Sequence, residues 1–282
     1  MHKRFNICIV NPDRHLHAGV FFEIADLLMY SIRDLGYQVD RSFNNIDIRA
    51  INIIIAVHLL DIAYIKNIPA NSIILNTEQL SVTLPEWNQR ILQSIECGLE
   101  FWDYSDTNIQ YIKNIEKFSN ANIKKLNIGY QSELRNIVNH DYEIDVLFYG
   151  SINERREYIL NSLKDRGLKV KVFAGIYGKD RDYWISRSKV VLNLHYYDAQ
   201  IFEVVRVFHL LTNSIAVVAE VNNSTIIEQR FKDGILAAPY EQLVDYTVDL
   251  IVNENKLKEQ RWIGYESIKK YPQSNFTSAL LL

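Results

Sequence analysis

A chain of 282 residues, 48% hydrophobic and 23% charged with only five prolines, has the composition of a folded protein, long enough for one large α/β domain or two of about 140 residues each, and extensive disorder is excluded. Thirty-one basic residues against thirty-four acidic ones give a formal net charge of −3, so bulk charge supplies no reason to expect a nucleic-acid partner. The two cysteines, Cys8 and Cys97, form no CxxC pair, the opening apolar run is too short for a signal segment, and runs such as INIIIAVHLL fall far below the about 18 residues of a membrane span, so free thiols and a cytoplasmic location are expected, with peripheral docking on a membrane left open.

FNICIV reads as a buried first strand and NPDRHLHAG as the loop after it. Apolar positions at helical spacing from Val20 to Leu35, stopped by Gly36, predict a helix, and GYQVD is the next strand of a βαβ layer. NIIIAVHLL and NSIILNTEQL are further buried strands. ILQSIECGLEFWDYS supplies a helix and a short strand at Phe101 and Trp102, a helix covers Asp106 to Phe118, and IKKLNIGY ends this half, assigned to residues 1–135. The polar stretch 131–144 is the expected linker. The same grammar then restarts over 144–270: strand DVLFYG, helix NERREYILNSLKDRG, strand LKVKVFAG, short helix DRDYWISRS, strand KVVLNLH, a helix inside IFEVVRVFHLLTN, and strands SIAVVAE and GILAAP. Two helices follow between Tyr240 and Lys270, broken near Asn253 to Asn255, and 271–282 is a tail expected to cross back to the first half. Strands alternating with helices predict a parallel sheet in each half, covered on both faces, with ligands taken in a cleft at the carboxyl ends of the strands.

Strand exits therefore sort the polar residues. Glu203 and Arg206 are three apart and share a helix face, and Glu220 ends the following strand. Charges enter apolar surroundings paired or bound to something polar, since desolvation costs several kcal/mol as an order of magnitude. The plain alternative is a Glu203–Arg206 ion pair that locks the helix; the functional one is a carboxylate that accepts two ribose hydroxyls, with Arg206 and Lys189 answering a phosphate or a sugar carboxylate. Gly150 and Ser151 form the exit of DVLFYG, and Arg155 and Arg156 open the next helix, a place where backbone N–H groups and guanidinium groups suit an anion, although the same charges suit a solvated helix face. Neither a P-loop nor a GxGxxG fingerprint is present, which weighs against kinases, ATPases and dinucleotide enzymes. Asn193 and His195 lie on one side of their strand near its exit. In the first half His15 and His17 occupy the loop after strand one, and His58, Glu78 and Asp103 stand at further exits; a histidine there can act as a general base, its ordinary pKa being about 6.5, or each group can serve as a cap or a core hydrogen bond. HLH has no compact third ligand, so no metal site is expected.

On these residues the chain resembles GT-B-type nucleotide-sugar glycosyltransferases, of the kind found among small bacterial and phage family-1-like proteins. The resemblance runs along essentially the whole chain and is carried by DVLFYGSINERREYILNSLKDRG, by YGKDRDYWISRSKVVLNLHYYDAQIFEVVRVFHLLTNSIAVVAE and by GILAAPYEQLVDY. It implies two Rossmann-like parallel-sheet domains facing across a cleft, the amino-terminal one on the acceptor side and the carboxyl-terminal one holding the donor. It implies Glu203 as the ribose ligand and Gly150, Ser151 and Arg155 or Arg156 as the diphosphate region. His195 stands eight positions before Glu203, where many retaining members carry another glutamate, and Asn213 or Ser214 stands where a small residue or glycine is usual. His17 lies near the base of inverting members, with Glu78 and Asp103 in reserve. The implied activity is metal-independent transfer of a sugar from a nucleoside diphosphate to a saccharide or other hydroxyl acceptor, in polysaccharide or glycoconjugate synthesis, with no cofactor beyond the donor. Two alternatives stand beside it: another nucleotide-sugar enzyme such as an epimerase, which needs a matched acid and base across one sugar carbon, and a non-catalytic GT-B-like binding or assembly subunit.

Overall fold

The computed structural model describes residues 3–12, 18–80, 85–138, 140–196 and 201–282. The chain divides into two compact units, Met1–Ile128 with Gln273–Leu282, and Gly129–Pro272.

The first unit is built on β1 (Arg4–Ile9), β2 (Gln38–Phe43), β3 (Ile51–Ile55), β4 (Ile73–Asn76), β5 (Glu100–Asp103) and β6 (Ile123–Lys125), all parallel in the order β2-β1-β3-β4-β5-β6. In β1 and β3 successive residues are buried, and since successive side chains point to opposite faces, both faces of the sheet are covered. The helices are α1 (Phe22–Asp34), the short α2 (Ile62–Ile65), α3 (Pro85–Glu96) and α4 (Asp106–Lys113). Helix α1 buries Ile24, Leu27, Leu28 and Ile32, the stripe of an amphipathic helix. Helix α4 starts where Ser105 accepts a hydrogen bond from the Asn108 N–H, and it stops at Lys113; a separate 3-10 turn, Glu116–Phe118, takes up the rest of the helix expected over 106–118. The strand expected through NIIIAVHLL ends at Ile55, because Ala56 adopts φ +65° and turns the chain into a 3-10 turn at Val57–Leu59 that carries His58.

The second unit contains β7 (Ile144–Tyr149), β8 (Val170–Phe173), β9 (Ser188–Asn193), β10 (Ala216–Glu220) and β11 (Leu236–Ala238), again all parallel, in the order β11-β10-β9-β7-β8. Its helices are α5 (Glu154–Asp165), α6 (Gly178–Ile185), α7 (Val204–Thr212), the short α8 (Gln229–Lys232), α9 (Leu243–Val252) and α10 (Glu254–Lys269). Asn253 both ends α9 and caps α10 by accepting from the Lys256 N–H, at the expected break. Val146, Phe148, Leu160, Leu163, Val190, Leu192, Val218 and Leu250 fill the core. From β7 the chain passes first to β8 on one side and then to β9 on the other, so the strand order reverses between β7 and β9, where open α/β sheets bind ligands. Residues 131–138 of the polar stretch lie in this unit, where Asn213 at the end of α7 accepts from the Asn136 and Ile137 N–H groups, both at 2.9 Å, and donates to the Leu134 carbonyl at 3.0 Å.

The final residues form α11 (Gln273–Leu281), which belongs to the first unit. Gln273 donates to the Asn127 carbonyl, and the Thr277 hydroxyl lies 2.8 Å from that of Ser31 on α1.

Candidate functional site

At the exit of β7, Gly150 adopts φ +145°, a conformation that disfavours side chains, and a Cβ there would lie 3.3 Å from Arg206 Nη2 and 3.6 Å from Arg156 Nη1. Glycine thus suits the turn and the close approach of the Arg206 guanidinium, whereas Arg156 would be in ordinary contact with a side chain there. Three residues on, the Asn153 side chain accepts from the Arg156 N–H and donates to the Tyr196 carbonyl at 2.6 Å, which fixes the start of α5 against the chain leaving β9.

The two arginines of α5 have different tasks. Arg156 is buried and donates to the carbonyls of Ser151 (2.8 Å), Leu194 (2.5 Å) and His195 (3.2 Å) and to Glu203 Oε1 (3.0 Å), with Phe148 and Tyr196 rings on either side. Arg155 makes a two-pronged pair with the Glu220 carboxylate, one bond being 2.6 Å, and lies 4.0 Å over the Tyr240 ring. Glu220, the last residue of β10 and wholly buried, also accepts from the His195 N–H at 3.0 Å. The carboxylate that ends the strand is therefore the buried partner of a cation 65 residues away.

Glu203 stands at the position before α7 without capping the helix. Its two oxygens take Arg156 and Arg206, the latter at 2.5 Å, so the intrahelical pair expected from the spacing forms and Arg156 joins it. Arg206 Nη1 also donates to Asn193 Oδ1 at 3.0 Å. Among the described residues, three guanidiniums and two carboxylates make up this cluster. Polar capacity remains unused in it: among the described residues, Arg206 Nε, Asn193 Nδ2 and both ring nitrogens of His195 are buried without a hydrogen-bond partner. Burial pushes the His195 imidazole below its ordinary pKa, which favours the neutral ring.

Gly150, Ser151, Arg155, Arg156, His195, Glu203, Arg206 and Glu220 are brought together at the carboxyl ends of β7, β9 and β10. Lys189 is not. It is the second residue of β9, paired with Asp145 at 2.7 Å near the amino end of the strand, about 15 Å from the exit at ~3.3 Å per residue.

In the first unit, Asp103 ends β5 fully buried. It accepts from Asn76 Nδ2 (2.7 Å), Asn108 Nδ2 (2.9 Å) and the Ser105 N–H (2.7 Å), and burial pushes its carboxyl up to about 7 in spite of these donors. Glu78, two residues beyond β4, is about a quarter exposed at 24%, and burial likewise pushes it up to about 7. His58 Nε2 lies 3.6 Å from Glu78 Oε1; burial, with Arg90 nearby, pushes this imidazole down to about 4. His17 lies outside the described residues. Tyr240, whose hydroxyl donates to the Arg155 carbonyl at 2.8 Å, was passed over in the sequence, although it too follows a strand exit, that of β11.

No protein-family model matches the chain. The uncharacterised protein L137 of Acanthamoeba polyphaga mimivirus is 30% identical over 200 residues, 68% of this chain but 26% of that protein, so the chain corresponds to about a quarter of that relative's length. Among solved structures, a glycosyltransferase from Rickettsia africae matches with a TM-score of 0.57 at 10% identity over 99% of this chain and 97% of that one. T4 phage BGT, solved with its UDP-glucose substrate, matches with a TM-score of 0.57 at 13% identity over 98% of each chain. The chain has the GT-B fold. At such identities the likeness is one of fold.

Within this GT-B fold the second unit brings together donors of the kind an anion takes, without a P-loop: a glycine turn, the start of α5, where the Arg156 amide is already given to Asn153, and Arg206, whose Nη2 faces the glycine. The carboxylate of Glu203 has four lone-pair positions and uses one on each oxygen, which leaves it able to accept hydroxyl donors. Among the described residues, no group of three or more His, Cys, Asp or Glu side chains lies close enough together to hold a metal ion.

Proposed function

We propose that this chain transfers a sugar from a nucleoside-diphosphate sugar to a saccharide or other hydroxyl acceptor without a metal ion, with the donor in the second unit and the acceptor in the first. One observation supports this most: Gly150 and the Glu203–Arg206 pair, about 50 residues apart in sequence, converge at the point where the second sheet reverses its strand order, in a fold shared with glycosyltransferases. Glu203 would accept the ribose hydroxyls. Arg206 and the amides around Ser151 would hold the diphosphate and stabilise its growing charge as the sugar leaves, which is electrostatic catalysis. Arg155 and Arg156 add to the positive field while holding the walls of the crevice, and His195 and Asn193 offer their unused polar atoms to the donor. If the reaction inverts the anomeric carbon, His17 and Glu78 are the candidate bases; Asp103 is the weaker choice, since it is fully buried behind three donors. A cytoplasmic location and a role in polysaccharide or glycoconjugate synthesis go with this function.

A non-catalytic GT-B scaffold is supported by a different observation: Glu203 and Glu220 are already paired in charge with arginines. A thermal-shift panel of UDP-, GDP-, CMP- and dTDP-sugars separates the two. Stabilisation by one class is expected, and calorimetry with Glu203→Ala should then show a donor Kd raised at least several-fold, about 1 kcal/mol or more. Unchanged affinity removes Glu203 from the ribose role, and no response to any donor leaves the scaffold.

A further inference from the structure

We propose that His58 is a positioning residue for Glu78: its neutral imidazole accepts a hydrogen bond at Nε2 from the protonated carboxyl, so that the carboxyl proton is held between the two side chains. Its catalytic meaning rests on the transferase function above, whereas the pairing is a property of the first unit alone.

The geometry prepares Glu78 for one task. Its backbone is held on both sides, the N–H by Asn76 Oδ1 at 3.2 Å and the carbonyl by Asn76 Nδ2 at 2.9 Å and Asn108 Nδ2 at 2.7 Å, which leaves the side chain as its free part. His58 is brought alongside because β3 and β4 are paired neighbours and the left-handed Ala56 turns the chain just past β3. The imidazole is buried against Trp87, ring centroids 4.6 Å apart, and Arg90 on α3 fixes its backbone by donating to the His58 carbonyl at 3.0 Å. At 3.6 Å the contact is longer than a hydrogen bond, as catalytic contacts often are before ligands bind, and the pairing requires it to close.

The surrounding charges choose the neutral pair. Arg90 faces the imidazole and opposes a second cation there, with Asp61 3.6 Å from its other end. Asp103 on β5 stands behind the asparagines that hold Glu78. Burial disfavours both ionised forms, so the proton rests on the carboxyl. In transfer, the acceptor oxygen forms its bond to the anomeric carbon as the bond to the diphosphate breaks, with the electron pair leaving on the diphosphate. The pair acts as base once the carboxyl proton has gone to water, as it does when pH rises through about 7: the hydroxyl proton passes to the Glu78 carboxylate, turns to His58 Nε2, and is lost to water in its turn, which restores the carboxylate.

Carboxyl 13C and imidazole 15N titrations of the full chain test the pairing without any donor. In the wild type, His58 should be neutral from about pH 5 to about pH 8 and carry its proton on Nδ1; a cationic ring, or a proton on Nε2, overturns the proposal. His58→Phe, which cannot accept, should lower the Glu78 midpoint by about half a pH unit or more, and His58→Gln, which can, should keep it. A midpoint that stays put or rises in His58→Phe overturns the pairing. With donor and acceptor in hand, the kcat profile should move with the Glu78 midpoint. A profile indifferent to His58, with the titrations as expected, overturns the catalytic role and leaves the pairing intact. Absence of transfer by the wild type refutes the transferase function itself.

Discussion

Replacing Arg156 by methionine tests whether this arginine holds the exits of β7 and β9 together. The methionine is close in length to the apolar stem of arginine, so the cavity cost is small, although the guanidinium carbon 5.1 Å from the Phe148 ring and 5.2 Å from the Tyr196 ring is removed. What is lost is the guanidinium fork. The buried Leu194 carbonyl loses its donor, the His195 carbonyl is left with the bond from Arg155 at 3.3 Å alone, Ser151 is exposed and can turn to water, and Glu203 keeps Arg206. Breaking a buried network of this kind costs about 3–5 kcal/mol. For a unit of this size about 3–4 °C is lost per kcal/mol, so the melting temperature of the second unit should fall by about 10–20 °C. Urea and thermal unfolding followed by tryptophan fluorescence can assign the change, since Trp184 and Trp262 report on the second unit and Trp87 and Trp102 on the first. Arg156→Lys, which keeps the charge but not the fork, should recover only part of the loss. A methionine variant within about 0.5 kcal/mol of wild type would refute the strut and return Arg156 to the role of a free phosphate ligand.

A Cβ at Gly234 would lie 2.3 Å from Ser267 Oγ and 2.8 Å from Leu211 Cδ1, so Gly234→Ala should cost about 1–3 kcal/mol in urea unfolding, and adding Ser267→Ala should restore part of it; two purely additive losses would contradict the clash. Glu78→Gln probes pH. The native carboxyl, pushed up to about 7 by burial, keeps its proton after the unfolded chain has lost it near 4.5, so this group's contribution is full below about 4.5 and is lost as pH rises through about 7. Relative to wild type, the glutamine variant should therefore gain on the order of 1–3 kcal/mol between pH 5 and pH 8; a difference that does not change with pH would place the carboxyl in water.

Much of the fold was legible because its signals are short-ranged. FNICIV, NIIIAV and SIAVVAE are too apolar for half-exposed strands, and they alternate with helices whose stops are marked by Gly36 and Asn253. The exits at Gly150, Glu220 and Asp103 were placed by the same periodicity. Where the chain departs from expectation the reason is a single backbone angle or an end: Ala56 at φ +65° cuts the strand short and moves His58 into a turn, and the helix after Asp106 gives way to a 3-10 turn. Tyr240 and the asparagines at 76 and 108 escaped notice because an uncharged side chain shows its worth only through its partners.

From sequence alone came two parallel sheets and the set of charged residues at their strand ends, since periods of 2 and 3.6 residues are written within a dozen positions. Partnership was decided by the tertiary structure. That Arg155 meets Glu220, that Arg156 leaves the solvated face of its helix to bind two neighbouring exits and Glu203, and that Lys189 lies at the other end of its strand all follow from the order β10-β9-β7 and its register. A hydrogen bond of about 2.8 Å requires side chains dozens of residues apart to be aligned within a fraction of an ångström, and no local pattern encodes that.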